Sequence, residues 1–179
     1  MADLKDRIIR AAKLDVTLYE EVEADKEAMG QATAVVVLSS VAAGIGSFHH
    51  GGAGGIIIGA VGALIGWYVW AYLTYIIGTK FLPEPQTQAD VGQLLRTTGF
   101  SSSPGLIRIL GLIPGVTGLV FLVAQIWMLV AMVIAVKQAL DYSGTLRALG
   151  VCVIGWLIQA LILLVVYSLL GSPTAGVHV

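Results

Sequence analysis

The sequence predicts an all-α integral membrane protein, a bundle of five transmembrane helices preceded by a short amphipathic N-terminal helix. Composition is the first observation, since 57% of the 179 residues are hydrophobic and only 12% are charged, whereas soluble domains have about 25% charged residues. Long uncharged stretches are the second, and residues 55–77 and 115–136 are examples. Apolar runs of this length indicate that the bilayer is the solvent.

Residues 1–27 are predicted to form a cytoplasmic segment that is first amphipathic and then acidic. Leu4, Ile8 and Ala11 share one helix face, opposite a charged face, so this helix lies either on the membrane surface or against the ends of the other helices. Thr17 and Glu20 have capping-box spacing, which predicts a second helix from about Leu18. This helix either continues into the first span or breaks near residue 30.

The five spans are predicted at about residues 29–48, 55–79, 91–113, 116–136 and 146–170, followed by a short non-cytoplasmic tail, 172–179. The turn SFHHGGAGG separates the first two spans. Pro83 and Pro85 mark the loop after the second, because proline disfavours helix continuation. Gly99 and Pro104 interrupt the third segment, which is either a broken span or a re-entrant hairpin.

The placement of Lys and Arg favours five crossings with a cytoplasmic N-terminus, because basic residues concentrate in cytoplasmic loops. With five spans, nine of these side chains fall in cytoplasmic segments and only Arg108 remains unassigned. With four spans, Lys137 and Arg147 would move outside. The N-terminus has no cleavable signal peptide pattern, so the first span is expected to direct insertion.

Small residues recur along the second span. They are Gly55, Gly59, Gly62 and Gly66, and their spacing is typical of faces that allow helices to approach closely. Trp67, Tyr68, Trp70, Tyr72 and Tyr75 follow, which predicts contacts both with an interface and with neighbouring helices. The second span is therefore predicted to carry a helix-packing face.

Local sequence and element order together resemble the Yip family of Ypt/Rab-interacting proteins, whose bacterial members have five spans. The resemblance is carried by Thr98-Gly99-Phe100 before Pro104, by Ile126-Trp127 and by Thr145-Leu146-Arg147-Ala148. It covers most of the chain from about residue 18 to residue 170. It implies a polytopic protein with a cytoplasmic N-terminus, and the short loops indicate a bacterial inner-membrane member, for which a Rab partner is not expected.

Three polar side chains within the predicted spans are candidates for function. Arg108 is costly to place in a bilayer, so it either reaches the far headgroups or holds an anion or polar partner inside the bundle. Gln125 and Gln159 lie in mid-span, where an amide can donate or accept a hydrogen bond between helices. Convergence of these three residues on one cavity would favour transport, and scatter would exclude it.

The remaining polar residues are weaker candidates for a functional site. The acidic cluster Glu20, Glu21, Glu23, Asp25 and Glu27 is either a solvated helix start or a surface for a basic partner or a divalent cation. The adjacent His49 and His50 have no third metal ligand nearby, and Cys152 is the only cysteine. No cofactor, metal site or nucleic-acid surface is predicted, and no catalytic motif is present, so the chain is not expected to be an enzyme.

The leading functional hypothesis is a non-catalytic membrane adaptor, organiser or accessory subunit of a larger membrane complex. It predicts contact with the lipid bilayer and with a protein partner or a second copy. The alternative is a small homo-oligomeric transporter or channel, in which the broken third segment lines the path and Arg108 selects anions.

Overall fold

Four helices in the computed structural model are long and apolar enough to cross a membrane, and the predicted third span is divided into two shorter pieces. The structure describes residues 3–170, except for the side chains of residues 48–53, 166, 167, 169 and 170. The α-helices are α1 Leu4–Ala12, α2 Val16–Ala24, α3 Met29–Gly46, α4 Phe48–Ile76, α5 Val91–Phe100, α6 Thr117–Ala139 and α7 Thr145–Leu170. The side chains of His49 and His50, and the tail 172–179, lie outside the residues that the structure describes.

Two aspartates define the N-terminal helices. Asp15 accepts a hydrogen bond from Thr17 N at 3.0 Å and begins α2, so the prediction of a capping box at Thr17 and Glu20 is wrong. Asp25 ends α2, and its carboxylate accepts from Glu27 N at 3.0 Å at the start of a 3₁₀ turn, Lys26–Ala28. This turn leads directly into α3, so the second helix does break before the first span.

The connection from α3 to α4 is shorter than predicted, because Ser47 alone separates the two helices. The residues of the predicted turn form the first turns of α4. A helix is favoured here because backbone groups in a bilayer must be bonded internally, even where glycines lower helix propensity. α4 ends in a π turn, Ile77–Phe81.

The third segment is α5 followed by a 3₁₀ helix, Ser103–Leu112, and it continues in one direction beside α3. A Cβ atom added at Gly99 would lie 2.9 Å from Ala32 Cβ, one at Gly105 would overlap Ser39 Oγ, and one at Gly111 would lie 2.9 Å from Gly46 O. The residue numbers increase in the same direction along α3 and along the third segment, so the two elements run parallel. Its interruption at Pro104 matches the prediction of an irregular element.

The bundle has a charged end and an uncharged end. The charged end contains α1, α2 and the connections 82–90 and 140–144, which are joined there by side-chain hydrogen bonds. The uncharged end contains the α3–α4 turn and the connection 113–116. The core fills the charged half, where α4 and α7 bury the residues Trp67, Trp70, Ala71, Thr74, Ile77, Ala148, Val151 and Cys152.

Towards the uncharged end, α4 and α7 lose this packing. Ile57, Ile58 and Val61 of α4 are exposed, and so are Leu157 and Leu161 of α7. In contrast, α3, the third segment and α6 remain in contact, with Gly46 and Gly111 both buried. Exposed apolar side chains on helices of this length are typical of surfaces that face lipid.

Candidate functional site

Arg108 projects from the 3₁₀ helix of the third segment towards α6. Its Nη2 donates to Gln125 Oε1 at 3.2 Å and lies 3.1 Å from the sulfur of Met128, both on α6. The guanidinium carbon lies 5.7 Å from the ring centroid of Phe121, a cation–π distance. The side chain is therefore directed towards the middle of α6 and not towards either end of the bundle.

A cavity of about 240 Å³ surrounds this guanidinium, and we call it the Arg108 cavity. Its polar lining comes from α3, the third segment and α7, and comprises Ser39, Ser40, Thr98, Ser102, Arg108 and Gln159. Arg108 Nε is buried without a hydrogen-bond partner, and Arg108 forms no ion pair with any described residue. A lone cation among hydroxyl and amide groups is suited to binding an anion.

Two of the three polar residues singled out within the spans, Arg108 and Gln159, line this cavity. Gln159 lies beside α4, since a Cβ atom added at Gly66 would be 4.0 Å from its Nε2. Gln125 is exposed on α6 and does not line the cavity, but it accepts the Arg108 hydrogen bond.

An apolar groove of about 290 Å³ adjoins the cavity between α6 and α7, and we call it the α6–α7 groove. It shares the side chains of Trp70, Met128 and Met132 with the Arg108 cavity. Its remaining lining is Gln125, Leu129, Val133, Leu149, Cys152, Val153 and Trp156. A polar and an apolar space thus share one wall.

The acidic cluster at the charged end is largely engaged within the chain. Arg7 reaches Glu21 at 2.8 Å and Asp25 at 2.7 Å, and Arg10 reaches Glu21 at 2.6 Å. These contacts hold the pKa values of Glu21 and Asp25 below their usual range, chiefly through the hydrogen bonds from Arg10 and Arg7 respectively. Two of the five residues of the candidate partner surface, Glu21 and Asp25, therefore connect α1 to α2.

The rest of that cluster is less tightly held. Glu20 accepts from Gln138 Nε2 at 2.9 Å, Glu23 accepts from Gln93 Nε2 at 3.2 Å, and Glu27 is exposed. Glu20 and Glu23 line an open cleft of about 590 Å³ with Lys137, Asp141 and other polar side chains. Burial, and then the negative charge of Asp141, raise the pKa of Glu23 to about 7.

Two arginines have structural roles that the sequence analysis missed. Arg7, assigned to the charged face of α1, is only 4% exposed and donates to Gln31 Oε1 at 2.8 Å in addition to its acidic partners. Arg96 is buried and donates to the carbonyl oxygens of Val22 and Glu23, where a cation complements the C-terminal end of α2. The excess of acidic residues in α2 indicated that a basic side chain would pair with them, but it did not identify Arg7 as that side chain.

The predicted glycine face of α4 does not pack within the described chain. A Cβ atom at Gly55, Gly59 or Gly62 would meet nothing within 4 Å. Close approaches are made by other glycines, among them Gly46, Gly99, Gly105 and Gly111 between α3 and the third segment and Gly44 between α3 and α4. Among the described residues, no group of three His, Cys, Asp or Glu side chains is placed to hold a metal ion.

The residues that carried the family resemblance make contacts between helices. Trp67 Nε1 donates to Thr98 Oγ1 at 3.2 Å, while Phe100 and Pro104 are buried. Trp127 Nε1 donates to Ala12 O at 2.8 Å, which fastens the end of α1 to the middle of α6. These side chains join α1, α4, the third segment and α6, so the quoted motifs report on architecture.

Arg147, the charged residue of the last quoted motif, joins the two connections at the charged end. It donates to Pro83 O at 2.9 Å and pairs with Glu84 at 3.4 Å.

Comparisons with curated proteins and with solved structures found no match. The family model described as the Yip1 domain matches residues 19–167, most of the chain. The resemblance predicted from the sequence is thereby confirmed, and the chain belongs to the Yip1 domain family of polytopic membrane proteins.

Proposed function

We propose that this protein is a non-catalytic organiser of the bacterial inner membrane, which crosses the bilayer five times and associates laterally with another membrane protein or a second copy. The parallel course of the third segment and α3 supports five crossings, since both then run from the charged end to the uncharged end. The concentration of Lys and Arg at the charged end supports a cytoplasmic location for that end.

This topology is tested by labelling introduced cysteines from each side of the membrane. The native Cys152 is buried and gives little background. Gln86→Cys is expected to react only with reagent applied from the cytoplasm, and Pro114→Cys only with reagent applied from outside. Reaction of both positions from one side would contradict five crossings.

Lateral association rests on one observation, the glycine face of α4, which is defined by Gly55, Gly59 and Gly62. These positions have the spacing of faces that let two helices approach closely, yet no described side chain covers them. In membranes, helices associate chiefly through such close van der Waals contact, because lipid is as apolar as the side chains it replaces. The face therefore fits a helix of another protein or copy.

The N-terminal helices fit this role less well as a free surface. Glu21 and Asp25 already neutralise Arg7 and Arg10. Breaking these pairs to recruit a basic partner would leave Arg7 buried without its counterions. The proposal accordingly favours an accessory subunit that makes contact within the bilayer over an adaptor that presents α1 and α2.

The decisive experiment is native mass spectrometry of the complex extracted in mild detergent, comparing Gly59→Leu with Gly118→Leu. Gly118 is a matched control, since it is also exposed and has nothing within 4 Å of an added Cβ atom, but lies on α6. Gly59→Leu is expected to release the associated subunit, and Gly118→Leu to retain it. Equal retention by both variants would contradict an interface on α4.

A second candidate function, an anion transporter or channel, is favoured by one cavity that both Arg108 and Gln159 line. The interrupted third segment also lies beside that cavity, as the sequence-based alternative requires. The test is chloride and phosphate flux in proteoliposomes. Flux that falls at least about tenfold in Arg108→Ala would support this function, and flux indistinguishable from empty liposomes would contradict it.

A further inference from the structure

Arg108 combines full charge with incomplete hydrogen bonding. Its guanidinium has five N–H donors, but the described acceptors are Gln125 Oε1 and the weakly accepting sulfur of Met128. Nε is buried without a partner. Because a half-buried cation with few acceptors and no counterion among the described residues is unfavourable, this site is complementary to an anion with several oxygen atoms.

The neighbouring α6–α7 groove is complementary to a different chemical group. Apart from Gln125, its lining is apolar or aromatic, and it continues along α6 and α7 past Leu129 and Val153. Trp70, Met128 and Met132 border both spaces, so the cationic site and the apolar groove are directly adjacent. A cationic site joined to an apolar groove matches an amphiphile better than an inorganic ion, which would leave the groove unfilled.

Access to this pair of spaces is available from the side of the bundle. Gly66 and Gln159 lie at the edge of the Arg108 cavity, where α4 and α7 are adjacent. Further towards the uncharged end, no described atom lies within 4 Å of a Cβ atom added at Gly62 or Gly59, and Leu161 is exposed. Among the described residues, this edge of the cavity is therefore open laterally towards lipid.

We propose that the Arg108 cavity and the α6–α7 groove form one binding site for an anionic lipid. The phosphate oxygens of the headgroup accept hydrogen bonds from Arg108, with Gln159 and the hydroxyls of Ser39 and Ser40 around them. One acyl chain lies in the groove against Leu129, Val133 and Val153. Basic pockets between transmembrane helices bind anionic headgroups on this physical basis. The residues that would bind the lipid are distinct from the glycine face of α4, although Gly59 and Gly62 also lie beside the opening.

The test is lipid retention measured by native mass spectrometry on the purified full chain, after incubation with phosphatidylglycerol or phosphatidylcholine of identical acyl chains. The wild-type protein is expected to retain phosphatidylglycerol preferentially. Arg108→Gln is expected to lower this retention by about tenfold or more, because charged hydrogen bonds are lost. Lys80→Gln is the control, since it removes an exposed cation at the end of α4 and is expected to change retention little.

A groove variant separates a lipid from a free anion. Val153 lines the groove and is 50% exposed, so Val153→Trp fills the acyl site without overpacking the core. It is expected to lower phosphatidylglycerol retention while leaving Arg108 in place. If inorganic phosphate binds in an Arg108-dependent way and Val153→Trp has no effect on lipid, the ligand is a free anion and the proposal fails.

Two further outcomes are decisive. Equal retention of both lipids by wild type and Arg108→Gln would overturn the site. If Arg108→Gln does not fold, lipid retention by Arg108→Lys and by Val153→Trp tests the proposal in its place. Retention that persists in Arg108→Lys and falls in Val153→Trp supports the lipid, and unchanged retention in Val153→Trp overturns it.

Discussion

The two ends of the bundle are built differently. At the charged end, α1, α2 and α5 are joined by buried arginines, with Arg7 bound to acids and Arg96 bound to backbone carbonyls. Towards the uncharged end, the contact between α3 and the third segment depends on glycines that bring backbones together, Gly44 of α3 lies against Ile56 of α4, and α7 is exposed. Polar bonds therefore fix one end, and close packing of three elements fixes the other.

This difference separates regions that serve the fold from regions available to ligands and partners. Where every buried polar group has a partner, as at Arg96, substitution acts on stability. Where a charge has no counterion or a small-residue face is uncovered within the described chain, as at Arg108 and Gly59, we expect substitution to act on binding. The comparison can be tested by variants placed on each side of this division.

Gly46→Ala should have the largest effect on stability. A Cβ atom there would overlap the carbonyl oxygen of Arg108, and backbone cannot move aside as a flexible side chain can. We expect a loss of about 3 kcal/mol, the upper range for overpacking, seen as a lower midpoint of thermal unfolding in mild detergent. Gly59→Ala is the control, and it should be neutral or gain up to about 1 kcal/mol from helix propensity. Equal effects would remove the distinction between packed and open glycines.

These two sets of glycines also show what the sequence could predict. The spacing of Gly55, Gly59 and Gly62 predicts a small-residue face, but spacing does not reveal whether another helix of the same chain covers it. Gly46, Gly99 and Gly105 show no comparable repeat, because their partners lie on elements distant in sequence. Local pattern specifies the face of a helix, whereas a contact depends on two helices together.

The same limit applies to charge. Composition and apolar runs predicted the four long helices well, since membrane insertion depends on local hydropathy. The period of α1 placed Arg7 on a solvated face, yet it is 4% exposed because Glu21 and Asp25 of the next helix surround it. Arg108 was recognised as exceptional from its apolar context, but the cavity requires three helices that sequence alone does not place together.

Arg7→Met should have the second-largest effect, confined to the charged end. The variant removes hydrogen bonds to Glu21, Asp25 and Gln31 and leaves Asp25 without its ion-pair partner. We expect a loss of about 2 kcal/mol, in keeping with charged hydrogen bonds at a partly exposed site. Amide hydrogen exchange should increase in α1 while α3 remains protected.

Lys5→Met is the matched control for this variant, because Lys5 is exposed on the same helix. Its exchange pattern should match that of the wild-type protein. Increased exchange throughout α3 and α6 in Arg7→Met would contradict a separable charged end.

The smallest effect expected is the dependence of stability on pH at Glu23. Its pKa is raised from 4.5 to about 7, chiefly by burial, so the folded protein holds this proton more tightly than the unfolded chain does. The stabilisation is complete below the unfolded value and is lost as pH rises through the folded value. The unfolding midpoint should therefore rise by a few degrees from about pH 8 to about pH 5.5.

Glu23→Gln should flatten this slope, whereas Glu27→Gln, at an exposed position nearby, should preserve it. Below the usual carboxylate range the trend should reverse, because Glu21 and Asp25 have lowered pKa values and lose their ion pairs when protonated. A slope that survives in Glu23→Gln would assign the titration to another group in the cleft. A slope that disappears in Glu23→Gln alone would make this carboxyl the pH-sensitive contact between α2 and the rest of the charged end.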